Sequence, residues 1–117
     1  MKIVYLGGPY RAPTPWAIEC NVHRARSVAA EIVQGLHALG VFPLTPHANT
    51  AHFDDLAPDD YYLKGTLEVL RRADILFLLP GWEKSSGTKA EKAEAERLGI
   101  PIVYSIVELK KWLDKAA

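Results

Sequence analysis

Cysteine occurs once in this chain, as Cys20, which excludes an internal disulfide and any zinc site built from several cysteines. A lone cysteine fits a reducing compartment, and inside a helical pattern Cys20 reads as a small core residue rather than a nucleophile. Net charge is missing too. Fourteen Lys and Arg balance fourteen Asp and Glu, so the chain lacks the positive field that carries binding to nucleic-acid backbones, and no polymeric nucleic acid is expected as a partner. No apolar run approaches the ~20 residues of a membrane span, so no membrane partner is expected. The first strand starts directly after Met1 and Lys2 with no basic and apolar leader, which sets the expected location as the cytoplasm. His23, His37, His47 and His52 lack ligand spacing to one another or to a cysteine pair, so no metal is expected.

What is present is an ordinary globular balance: 117 residues, 49% apolar and 24% charged. This is the size of one domain, expected to span residues 1–117. Ile3 to Leu6 forms a short buried-strand pattern that stops at Gly7-Gly8-Pro9. Thr14-Pro15 supplies a helix start, and apolar residues follow at spacings of three and four from Ile18 to Leu39, ending at Gly40. Val41 to Leu44 is a second strand, and residues 48–58 lack either periodicity and read as a long loop. Leu63, Leu67 and Leu70 mark a helix, Ile75 to Leu79 the central strand, Thr88 to Leu98 a further helix, Pro101 to Tyr104 a strand, and Val107 to Leu113 a terminal helix. Alternating short strands and crossover helices predict an α/β fold: a three-layer, Rossmann-like or flavodoxin-like parallel sheet with helices on both faces. Ligands of such sheets sit beyond the carboxyl ends of the strands.

Two strand-to-helix junctions carry glycine there, Gly7-Gly8-Pro9-Tyr10-Arg11 and the stretch from Gly81 to Gly87. Glycine admits a ligand close to backbone N–H groups, and a helix start adds free donors and a positive dipole end, a combination that suits phosphate or carboxylate. Small and hydroxyl residues before a helix are also ordinary caps. Arg11 reads either as a phosphate partner or as a solvated loop residue. His47 and Asn49, just after the second strand, read either as contacts to a base or sugar or as hydrogen-bonded loop residues.

Glu91 is more specific. On a helical wheel it shares a stripe with Ala95 and Leu98, opposite Lys89, Lys92 and Glu96. The local ion pairs, Lys92 with Glu96 and Glu94 with Arg97, leave it without a partner. It reads either as a first-turn glutamate serving the helix dipole or as a carboxylate aimed at the sheet for acid, base or nucleophilic work.

The pieces VYLGGPYR, TPHANT and LLPGWEKSSGTKAEKAEAERLGIPI together resemble the nucleoside 2-deoxyribosyltransferase-like superfamily, in particular a branch of small proteins related to nucleoside 5′-monophosphate N-glycosidases. The likeness runs from the first strand to about Val103. It implies that Glu91 is the nucleophile, with Gly7, Gly8, Tyr10, Arg11, His47, Asn49, Ser85 and Gly87 around the substrate. It also implies attack on C1′ of the sugar, no cofactor, a small nucleotide or nucleoside as ligand, and a homodimer or higher homo-oligomer, to which Trp16, Trp82 and Trp112 offer aromatic surface. Six residues before the glutamate, transferases carry an aspartate for a free 5′-hydroxyl and the monophosphate hydrolases a serine, so Ser85 implies hydrolysis of a nucleoside 5′-monophosphate. Base exchange by a deoxyribosyltransferase and nucleotide sensing without turnover are the alternatives. The family's aspartate in the helix before the central strand aligns with Thr66, a departure that Asp59 or Asp60 would have to offset.

Overall fold

The computed structural model describes residues 1–116. In chain order it contains β1 (Lys2–Gly7), α1 (Pro15–Leu36), β2 (Val41–Leu44), α2 (Pro46–Asn49), α3 (Asp59–Arg71), β3 (Ile75–Leu78), α4 (Ser86–Leu98), β4 (Ile102–Val103) and α5 (Ile106–Ala116), with single 3₁₀ turns at His37–Leu39 and Trp82–Lys84. The strands form one sheet in the order β2-β1-β3-β4, parallel throughout. The register sets Val4 beside both Pro43 and Ile75, so β1 is central and its carboxyl end lies between those of β2 and β3.

Alternation along β1 divides the core into two. Val4 and Leu6 face α1 and α5 and pack with Ile32, Leu36, Leu109 and Leu113, while Tyr5 faces the opposite side with Leu70, Leu76, Leu78 and Ala95 of α3, β3 and α4. Helices therefore cover both faces, as the expected three-layer architecture requires. Each fully buried aliphatic side chain contributes about 1.5–3 kcal/mol against exposure.

Local signals place the helices. Thr14 caps α1, its hydroxyl accepting from Ala17 N, with Pro15 in the first turn, and the left-handed Gly40 (φ 75°) ends the 3₁₀ turn that extends it. Two elements depart from the sequence reading. The four-residue α2 interrupts what reads as loop, since one turn beginning at Pro46 is too short to show a period. α3 starts at Asp59, a turn before its first periodic leucine, because its opening Asp-Asp-Tyr-Tyr is polar and aromatic. Of the three tryptophans, Trp82 and Trp112 pack against the two cores and only Trp16 is largely exposed.

No helix among the described residues is long and apolar enough to cross a membrane.

Candidate active site

In the order 2-1-3-4, the helix after β1 lies on one face and the helix after β3 on the other, so the chain diverges beyond the carboxyl ends of these two strands and opens a crevice. A cleft of about 610 Å³ occupies that place, bounded by the loop after β1, the start of α4, one face of α3 and the end of the segment after β2.

Glu91 stands in its wall. The buried stripe of α4 is Thr88, Glu91 and Ala95, which points the carboxylate at the sheet with 7% exposure. Leu98, placed on that stripe by the wheel, is 42% exposed, because it is the last helical residue before the left-handed Gly99 and the helix end has left the sheet. Lys92–Glu96 and Glu94–Arg97 form as ion pairs, and Glu94 also binds Arg71.

The partner of Glu91 comes from across the core. The phenol of Tyr5, itself fully buried, donates to Oε2 of Glu91. Burial raises the Glu91 pKa to about 7, and the bond from Tyr5 pulls it down only in part. Burial first, then the charge of Glu91, push the Tyr5 phenol well above its usual value, so it stays a donor. Gly7 lies beside the other oxygen: a Cβ there would come within 3.2 Å of Leu76 Cδ1 and 3.4 Å of Glu91 Oε1. Tyr5 was not anticipated from the sequence, yet a signal existed. A tyrosine inside an otherwise aliphatic strand needs a polar partner, and Glu91 was a carboxylate without one.

Ser85 is the N-cap of α4. Its Oγ accepts from Thr88 N at 3.2 Å and from the Thr88 hydroxyl at 2.9 Å, which leaves its own O–H free to donate into the cleft. Gly87 lines the same end, and a Cβ built on it would meet nothing within 4 Å. Protein packing thus gives no reason for glycine in this first turn, where alanine would favour the helix. Gly8 is different, since a Cβ there would stand 2.8 Å from Leu79 Cβ, so its bareness serves the junction of β1 and β3.

The remaining predicted residues divide. His47 is buried, with Nε2 3.0 Å from Gly8 O and 3.1 Å from Pro9 O. Carbonyls only accept, so Nε2 carries the proton and Nδ1 is the bare, buried nitrogen, without a partner among the described residues. Burial lowers the His47 pKa, keeping it neutral as a clamp on the loop after β1. Tyr10 donates to Asp54 Oδ1 at 2.8 Å and accepts from His52 N at 2.7 Å. Arg11 lines the cleft, but its guanidinium is taken by Asp54 (3.0 Å) and Asp59 (2.5 Å). Asn49 is exposed at the end of α2 and lies outside the cleft lining. Thr66 faces the cleft with its hydroxyl turned back to Leu63 O, and Asp59 and Asp60 stand nearer the mouth.

The parallel sheet in this order, with helices on both faces, identifies the fold. The fold is that of the 2-deoxyribosyltransferases. The chain is similar to a 2-deoxyribosyltransferase from the psychrotolerant bacterium Bacillus psychrosaccharolyticus, at 23% identity and a TM-score of 0.56 over 86% of this chain and 69% of that one. It is likewise similar to a 2-deoxyribosyltransferase from Leishmania mexicana, at 22% identity and a TM-score of 0.59 over 89% of this chain and 63% of that one. The chain thus spans about two thirds of the length of these proteins. No curated protein is matched by sequence. Residues 18–104, about three quarters of the chain, match the family described as Domain of unknown function (DUF4406), and the chain belongs to that family.

Proposed function

We propose that this protein hydrolyses the N-glycosidic bond of a nucleoside 5′-monophosphate, with Glu91 as nucleophile. The observation that carries the reading is Glu91 itself: a carboxylate with no cation partner among the described residues, buried in a cleft wall, held by the Tyr5 phenol, with a pKa of about 7. Such an arrangement is costly to fold, and a buried carboxylate with a raised pKa in a cleft suits nucleophilic or acid–base work.

In this reading one oxygen of Glu91 attacks C1′. The C1′–N bond breaks with its electron pair leaving on the base, which takes up a proton, and a glycosyl ester forms on Glu91. Water then attacks C1′, the ester bond breaks with its pair returning to the carboxylate, and the water proton is released. Tyr5 holds Oε2 and leaves Oε1 for the sugar. As the bond breaks the sugar gains positive charge, which favours the ionised carboxylate beside it. The Ser85 hydroxyl and the first turn of α4 receive the phosphate, with Lys84 beside them in the cleft lining.

The capture of Arg11 by two aspartates favours a second reading, transfer of deoxyribose between bases of unphosphorylated nucleosides, because it removes one cation from the phosphate. Incubation with ribo- and deoxyribonucleosides and their 5′-monophosphates, followed by chromatography of released base, separates the two. Release from monophosphates and its loss in Glu91→Gln are expected. If no nucleotide loses its base, or Glu91→Gln is equally active, the reading is refuted.

A further inference from the structure

The cleft is electrically polarised. Helices α3 and α4 cover the same face of the sheet, and both begin at its carboxyl edge. The first turn of α4 contains no acidic residue, and Lys84 precedes it. The first turn of α3 contains Asp59 and Asp60, both in the cleft lining. One helix start is open to an anion, while the other already carries two.

Asp59 belongs to a definite stripe. Asp59, Leu63 and Thr66 follow at four and three residues, all three on the cleft side of α3. Thr66 stands beside the Tyr5 phenol and hence near Glu91. Seven residues of helix place Asp59 about 10 Å further towards the mouth, about the reach of a base ring plus one hydrogen bond from the reacting carbon. Arg11 fixes Oδ1 of Asp59 and leaves Oδ2 as an acceptor. Tyr62, whose hydroxyl donates to Phe53 O, and Phe53 itself supply flat apolar surface beside this path.

Resting on the nucleotide reading above, we propose that Asp59 determines base specificity, selecting bases that present an exocyclic amino group at the edge away from the sugar. A carboxylate accepts and never donates, so it rewards an N–H and repels a carbonyl oxygen at that position. Its usual role in the first turn, offsetting the helix dipole, is already served by Asp60 one residue on.

The test measures dissociation constants by calorimetry in the Glu91→Gln background, for the pairs AMP and IMP, and CMP and UMP. For one exposed charge-assisted hydrogen bond, the amino-bearing member of at least one pair is expected to bind about two- to fivefold more tightly. Asp59→Asn brings that ratio close to one, because its amide offers donor as well as acceptor. Each ratio is taken within one protein, so a general loss of affinity cancels. Equal affinities within every pair overturn the proposal, as does a preference that survives Asp59→Asn. If none of the monophosphates binds, the nucleotide reading itself falls.

Discussion

Replacing Tyr5 by phenylalanine removes one hydroxyl and leaves the core volume nearly unchanged. Among the described residues that hydroxyl is the one donor to a carboxylate with 7% exposure, so its loss falls on the ionised form of Glu91. A hydrogen bond to a charged group contributes about 1.5–3 kcal/mol, and one pKa unit corresponds to about 1.4 kcal/mol, so the Glu91 pKa is expected to rise by roughly 1–2 units from about 7. At pH 7 the ionised fraction then falls from about a half to between a tenth and a hundredth, and kcat/KM for base release drops roughly 5- to 50-fold. Above the new pKa the carboxylate is ionised again and most of the rate returns. The assay is the pH profile of kcat/KM for both proteins, with the Glu91 carboxyl followed by carbon NMR. An acidic limb that stays in place, or moves to lower pH, refutes the argument that Tyr5 governs the charge of Glu91.

Glu91→Gln is expected to abolish turnover while making the protein more stable at pH 8. The folded-state pKa is raised from 4.5 to about 7, so stability is greatest below pH 4.5, falls between pH 4.5 and 7 as the unfolded chain releases a proton that the folded one retains, and is level above; the cost removed is about 3 kcal/mol, visible in thermal melts compared at pH 4 and pH 8. A variant no more stable at pH 8 contradicts the burial of an ionisable carboxylate. Gly87→Ala meets no atom within 4 Å and is expected to gain about 0.5 kcal/mol in denaturant melts while weakening nucleotide binding, because the added methyl enters the cleft; unchanged affinity removes Gly87 from the site. Ser85→Asp keeps a competent helix cap but places a negative charge where the phosphate is proposed to sit, so affinity for monophosphates is expected to fall at least about tenfold relative to free nucleosides. An unaltered ratio in calorimetry rules out phosphate at this end.

The sheet was legible because parallel strands covered on both faces are continuous apolar runs, and Ile75 to Leu78 is fully buried as its composition demands. Glu91 was legible because a helix repeats at 3.6 residues and its neighbours had partners of their own. Pairings across the chain left no such mark. Tyr5 and Glu91 lie 86 positions apart, and Arg11 meets Asp54 and Asp59 across 43 and 48. The glycine rule did not reveal that Gly8, while lining the cleft, is also held bare by its close approach to Leu79. Asn49 followed a strand end, as a contact residue should, but one turn of helix carried it out to solvent.

The tight seat of Gly8 against Leu79 separates the two sides of the cleft mechanically. The side formed by β1, β3 and α4 is welded through the core, with Gly8 spaced by a side chain and Glu91 tethered to a strand, and it behaves as an anvil of fixed dimensions. The facing side, from His52 to the start of α3, is fastened by polar ties through Tyr10, Arg11 and Tyr62, and it behaves as an adjustable jaw. Exchange of residues in that jaw re-sizes the gap without disturbing the anvil, so what the cleft grips and what stands in its opposite wall are free to vary separately.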